Sequence, residues 1–183
     1  MADEKLIGYQ DHVEWMGERI LTLADVWPEQ AHTAIVGLNP APKSVAAGHY
    51  YQGLVGSRQM GRLADAGLFA PPDGSTFEAA TLAAGIGLTD VVKRPTARED
   101  AVTRAELTFG RAALEETLRV RGVSLVVCVF RHPVEVLLGG RSRPGFQHKT
   151  TASGAEVFRM PGPFERADDV EAVMSTLRKR IRS

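Results

Sequence analysis

Apolar positions along this chain fall into two rhythms that trade places. Val13, Met16, Ile20, Leu23 and Trp27 recur at helical spacing and Pro28 follows, so a first helix is predicted through the teens and twenties. Residues 34–38 are almost continuously apolar and predict a buried strand. A short helix over residues 57–67 turns Met60, Leu63 and Ala64 inward, with Gly67 where a C-cap belongs. Residues 70–75, Ala-Pro-Pro-Asp-Gly-Ser, read as a loop. Residues 86–92 predict a second strand. Thr96 with Glu99 then predicts a capping box for a long helix that ends near Gly122 and carries Leu107, Leu114 and Leu118 on one face. Residues 123–130 are nearly unbroken hydrophobe, a third strand covered on both sides. A helix from near Pro133 stops at Gly139 and Gly140, and residues 141–154 form a polar loop. A last short strand, 156–160, runs into Pro161, Gly162 and Pro163. The terminal helix, with Asp168 and Glu171 as its capping pair, keeps Val170, Val173, Met174, Leu177 and Ile181 at helical spacing.

Strands that alternate with helices imply a parallel sheet with helices on both faces. Ligands of such sheets bind beyond the carboxyl ends of the strands. The segments in that position are 39–53, 93–98, 131–133 and 161–166, and the unusual residues of the chain lie there. A length of 183 residues suggests one domain spanning 1–183. Lysine plus arginine equals aspartate plus glutamate at 22 each, so global charge points to neither nucleic acid nor membrane. Attraction to DNA has to come from local charge. The lone Cys128 lies in an apolar strand, reads as a buried small hydrophobe, and excludes an internal disulfide or a four-thiolate cluster. No signal peptide or membrane-spanning run is read, so a cytoplasmic location is expected.

The first of these loops is the richest. A strand delivers Gly37, Leu38, Asn39 and Pro40 into a turn, and Gly48, His49, Tyr50, Tyr51, Gln52 and Gly53 follow. A turn alone explains Asn-Pro after a strand. A loop of about fifteen residues without its own secondary structure is usually functional, however. Asn39 is no base, but its amide can hold a water or an amide edge, and one of the Tyr50 and Tyr51 rings can stack on a flat heterocycle. His49 is a candidate general base or a surface histidine. Asp90 closes the second strand, where it can stabilise a cation or activate water, and equally cap a turn or pair with Arg94. Lys93, Arg94 and Arg98 form one basic stretch, and Arg141, Arg143, His148 and Lys149 another; each is a candidate phosphate contact or a solvated loop. The stiff run Pro161, Gly162, Pro163, Phe164, Glu165, Arg166 suits a packed connection or an apolar wedge entering a base stack.

Taken in order, these residues resemble the uracil-DNA glycosylase superfamily, and most closely its mismatch-specific uracil/thymine-DNA glycosylase branch. That branch carries Gly-Ile-Asn-Pro-Gly after its first strand, where this chain has Gly37, Leu38, Asn39, Pro40 and Ala41. Gly48 to Tyr51, Ser57 with Arg58, Arg94-Pro95-Thr96 and the proline-rich residues 160–166 are similar to its later motifs. The resemblance implies a three-layer α/β/α sandwich with a central four-stranded parallel sheet. It also implies a glycosylase with no metal or other cofactor, acting on duplex DNA that carries uracil or a mismatch. A monomer is the expected oligomeric state. Asn39 then matches the residue that positions the attacking water, and Tyr51 the aromatic that stacks on the flipped base. Gly162, Pro163, Phe164 and Arg166 match the segment that enters the duplex. Position 162 is Gly where relatives place Asn or His, and Ala41 replaces Gly.

Two other classes compete. One is a nucleotide- or nucleoside-binding enzyme on the same sheet, although neither Gly-rich phosphate loop is present. The other is a DNA-binding relative that has lost its chemistry.

Overall fold

Residues 5–183 are described by a computed structural model. The expected domain of residues 1–183 therefore has its first four residues outside the described part. At the centre lie β3 (Thr33–Gly37), β4 (Ile86–Asp90), β5 (Leu125–Cys128), β6 (Gly145–Phe146) and β7 (Glu156–Arg159), in the order β4-β3-β5-β7-β6. β4, β3, β5 and β7 run parallel. β6 adds to β7 antiparallel, so the sheet described has five strands rather than four. The extra strand arises inside the polar loop, where Gly145 takes φ +100° and Phe146 packs edge-on against Phe158. Two residues give no periodicity to read.

Side chains alternate across the sheet, as strand geometry requires. Ile35, Leu88, Val127 and Phe158 face one layer, which contains α2 (Leu54–Asp65) and α6 (Ala167–Arg182). Ala34, Val36, Val126 and Val157 face the other, with α4 (Arg104–Val120) and α5 (Arg131–Leu138). The molecule is thus a mixed α/β sandwich with a mostly parallel sheet flanked by helices.

The first predicted helix is instead a hairpin, β1 (Gln10–Trp15) and β2 (Glu18–Leu23). Its turn is Met16-Gly17, with φ of +52° and +87°, the positive pair that a tight two-residue hairpin turn demands. Val13 lies opposite Ile20 in the register, and the buried Trp15 and Leu23 are turned to the two cores. The spacing of apolar residues mimicked a helix because it ran straight through the turn. A bridge between Val26 and Leu88 then covers the β4 edge of the sheet.

Two caps also shift. The capping box sits at Thr103 and Glu106, seven residues beyond Thr96 and Glu99, and opens α4. It repeats the same Thr-x-x-Glu signature, so sequence offered two equal starts. α6 begins after Arg166 with no side-chain cap, and Asp168 lies in its first turn. The long loop after β3 is not structureless either, because α1 (Pro42–Ala47) and the left-handed Gly48 occupy its middle, and a further short helix, α3 (Glu78–Ala83), precedes β4.

Candidate active site

β3 and β4 end side by side, with Gly37 paired to Asp90. Beyond their carboxyl ends opens a cavity of about 410 Å³. Gly37, Leu38, Asn39, Pro40, Tyr50, Tyr51 and Asp90, all singled out in the sequence, line it. So do Leu54 to Gly56 at the start of α2, Thr96 to Glu99, and Phe130 at the N-cap of α5.

The Asn39 amide is held in one orientation. Its Nδ2 donates to the Arg94 carbonyl oxygen at 2.9 Å and to Thr96 Oγ1 at 2.8 Å. A carbonyl can only accept, and the Thr96 hydroxyl already donates to the Arg98 carbonyl oxygen at 2.8 Å. Both neighbours therefore demand the nitrogen, which fixes the amide flip. Among the described residues no donor takes Oδ1, so the acceptor end of Asn39 is left for whatever enters the cavity.

The floor is built by two glycines. A Cβ on Gly37 would stand 2.1 Å from Asp90 Oδ1 and 3.2 Å from the Tyr51 hydroxyl. Absence of that carbon lets the Asp90 carboxyl and the Tyr51 hydroxyl both approach the end of β3. A Cβ on Gly56 would come within 3.1 Å of the Tyr51 ring, so the ring lies flush against the first turn of α2. Tyr51 itself has φ +56°, an unusual left-handed conformation for a residue with a bulky side chain, of the kind that gathers at functional sites. Its hydroxyl is buried and has no partner among the described residues. Burial, then the Asp90 charge, push the phenol well above its ordinary range.

Asp90 is only 5 % exposed. Burial raises its carboxyl to about 7; Lys93 pulls the other way and Asp25 adds to the rise. The pairing with Arg94, one of the alternatives the sequence left open for Asp90, does not form. Arg94 is instead bidentate to Glu106, through Nε at 2.6 Å and Nη2 at 2.8 Å. Glu106 also takes the Thr103 amide and hydroxyl and Trp15 Nε1. The Arg94 bond first of all, with the Thr103 and Trp15 donors behind it and despite burial, holds Glu106 down at about 2. Lys93 is likewise turned inward, donating to Asp25 Oδ1, Thr89 Oγ1 and the Asp90 carbonyl. Neither cation of this expected DNA-binding pair is free for a phosphate.

Other expectations move as well. His49 does not line the cavity; its Nδ1 lies 3.3 Å from the buried Glu78, and its ring meets Tyr9 edge-on. Tyr50 is 2 % exposed and its hydroxyl donates to the Ala24 carbonyl, so it supports the wall from the core side. Arg141 and Lys149 line a separate cavity of about 180 Å³ with His148, at the end of α5. That cavity shares no lining residue with the first, and Arg143 is exposed nearby on the same loop. Phe164 is 79 % exposed at the tip of residues 161–166, and Arg166 is exposed beside it.

Sequence reading missed Phe130, Thr96 as the anchor of Asn39, and the α2 side chains that reach the 161–166 loop. Phe130 was legible in part, as the residue immediately after a strand at the ligand end of the sheet. Thr96 was masked by its capping signature.

Among the described residues no group of three histidine, cysteine, aspartate or glutamate side chains stands ready to hold a metal ion. No helix there is long and apolar enough to cross a membrane.

A cavity at the carboxyl end of a mostly parallel sheet, lined by a buried acid and an oriented amide, is the candidate site of this α/β protein. The family model of the uracil DNA glycosylase superfamily matches residues 24–176, and the chain belongs to that superfamily. No curated protein matches the chain. Members of the superfamily are generally DNA glycosylases, hydrolases of base excision repair that act on DNA.

Proposed function

We propose that this chain is a monofunctional glycosylase of the mismatch-specific branch, which flips uracil out of duplex DNA and hydrolyses its glycosidic bond. The observation that carries this reading is the Asn39 amide at the cavity wall, whose nitrogen is claimed by two acceptors while Oδ1 has no donor among the described residues. An acceptor fixed there holds a water by one of its hydrogens and aims a lone pair of that water at C1′. The contribution is mainly positional.

The target C1′ is shielded within a duplex, so the nucleotide must leave the stack at a cost of a few kcal/mol, least for a mispaired base. Tyr51 and Phe130 offer aromatic wall to the extruded ring. Stacking on such a wall is worth about 1–3 kcal/mol per base. In the chemical step the C1′–N1 bond breaks and its electron pair leaves with the base. The water oxygen bonds to C1′, and a water proton ends on the released base. Positive charge grows on the sugar and negative charge on the base. Main-chain amides of the Asn39 turn would stabilise the departing anion in the manner of an oxyanion hole.

Asp90 fits a second task better than water activation. Held protonated below about pH 7, it is a poor base there but offers one donor and one acceptor side by side. That pair complements the adjacent N3–H and carbonyl of uracil, and the unpartnered Tyr51 hydroxyl lies beside it. Gly162 offers no side chain to the base, which places more of the recognition on Asp90.

The test is a panel of duplexes carrying uracil, thymine mispaired with guanine, or hypoxanthine, read out as abasic sites. Uracil should be released fastest. A uracil duplex that is bound and never cut would instead select the non-catalytic relative, and binding of free nucleotides alone the nucleoside enzyme.

A further inference from the structure

The exposed loop after β7 is held by one helix. Gln59, 0 % exposed within α2, donates through Nε2 to the Pro161 carbonyl at 2.8 Å and to the Val129 carbonyl at 3.1 Å. Arg62 Nη1 donates to the Gly162 carbonyl at 3.0 Å and to Gln59 Oε1 at 2.7 Å. Arg62 Nη2 at 3.4 Å and Arg58 Nη1 at 3.3 Å reach the Pro163 carbonyl. Three consecutive carbonyls of one loop are thus taken by three side chains of one helix. Arg58 and Arg62, four residues apart, share a face of it. From within the loop, Glu165 Oε1 accepts the Gly162 amide at 2.9 Å. A Cβ at position 162 would stand 2.9 Å from that oxygen, so Gly162 fits the closed turn. Prolines 161 and 163 fix two further backbone torsions.

The result is a rigid base under an unsupported tip. Phe164 projects into solvent with 79 % of its surface exposed, and the Arg58 guanidinium lies 5.7 Å from its ring centroid. An exposed aromatic is normal when its backbone is free to move. Here the backbone is tied while the ring, beside Arg58, stays open to solvent. The same helix opens with Leu54, 76 % exposed, and its first turn lines the cavity. α2 therefore joins the cavity wall to the projecting loop as one body.

We propose that α2 is a clamp that sets the 161–164 loop for entry into the duplex, with Gln59 and Arg62 as positioning residues that never touch the reacting atoms. The inference rests on the glycosylase reading. A wedge that must be ordered at the moment of base extrusion loses part of its contact energy to that ordering; a wedge ordered beforehand does not. The clamp then matters in proportion to how firmly the target base is stacked, and it is idle when the base is already unpaired.

The experiment compares the full-length protein with Arg62→Met on two substrates: uracil in a paired duplex, and uracil in a bubble of unpaired bases within the same duplex. Single-turnover rates are measured on both. The paired substrate should lose about ten- to a hundredfold in rate, the scale on which misplacing a contact remote from the chemistry acts. The bubble should change less than about twofold, and Arg62→Lys, which can still reach one carbonyl, should recover part of the loss. Equal losses on both substrates would mean that Arg62 serves only the fold, and no loss on either would mean that the loop needs no clamp; both overturn the proposal. Amide exchange at Gly162 provides a readout independent of catalysis. It should quicken in Arg62→Met, and unchanged exchange overturns the clamp. If the parent protein cuts neither substrate, the glycosylase reading fails by itself, and the exchange result still decides whether the clamp exists.

Discussion

Replacing Asp90 with Asn tests the floor of the cavity more sharply than any other single change. The folded protein holds this carboxyl at about 7 against an ordinary 3.8. Burial is the main cause, and the side chain is 5 % exposed. Because the folded value is the higher one, the native state binds the proton more tightly than the unfolded chain does between those limits. The stability contributed by this one group is therefore greatest below about pH 4, declines as pH rises towards 7, and is level above it. Roughly three pH units at 1.36 kcal/mol each give a decline of about 4 kcal/mol at most. Asn keeps the shape, carries no charge, and cannot ionise. Urea unfolding of parent and variant at pH 5 and pH 8 isolates the effect, because all other groups titrate alike in both. The variant should gain on the parent by about 2–3 kcal/mol between the two pH values. Parallel pH dependences would refute the reasoning. The same variant separates two roles for Asp90. Retained uracil excision, with the decline in activity above pH 7 flattened, fits a carboxyl that reads the base edge. Abolished excision would hand the water to Asp90.

Gly37→Ala sets a methyl 2.1 Å from Asp90 Oδ1, so excision should fall at least tenfold while the thermal midpoint drops by only a few degrees; full activity in a steady-state assay would contradict a floor built on that close approach. Arg94→Met should cost about 2 kcal/mol of stability, since it removes two charge-assisted hydrogen bonds from the nearly buried Glu106. It should leave the salt dependence of DNA binding unchanged, and a slope reduced by about one would return Arg94 to the phosphate contacts.

The parts of this molecule that sequence disclosed are those where one physical rule acted alone. β3 and β5 are short, almost wholly apolar runs, β7 is a short run closed off by Pro161, and α6 keeps a single apolar face. Asn39 was visible because Gly37 and Pro40 isolate it at a strand end. Errors came where two rules used the same residues. Met16 and Gly17 form a hairpin turn within a helical spacing, and tertiary register decided the outcome. Thr96 and Thr103 both fit a capping box; Asn39 claimed the first and α4 the second. Lys93 and Arg94 looked like free cations because their partners, Asp25 and Glu106, lie far along the chain or behind a turn. Charge near a strand end thus indicated the site without indicating its direction. The approach of Asp90 and Tyr51 to the Gly37 notch depends on three segments meeting, and no local pattern encodes it.

In the proposed reaction Asn39 Oδ1 positions the water that attacks C1′. Single-turnover release of uracil from a duplex by Asn39→Ala, at protein in excess, tests it most directly. The variant should fold with the parent's circular dichroism and bind the duplex, yet release the base about a hundredfold more slowly or worse. A rate equal to the parent's would show that this amide has no part in the chemistry.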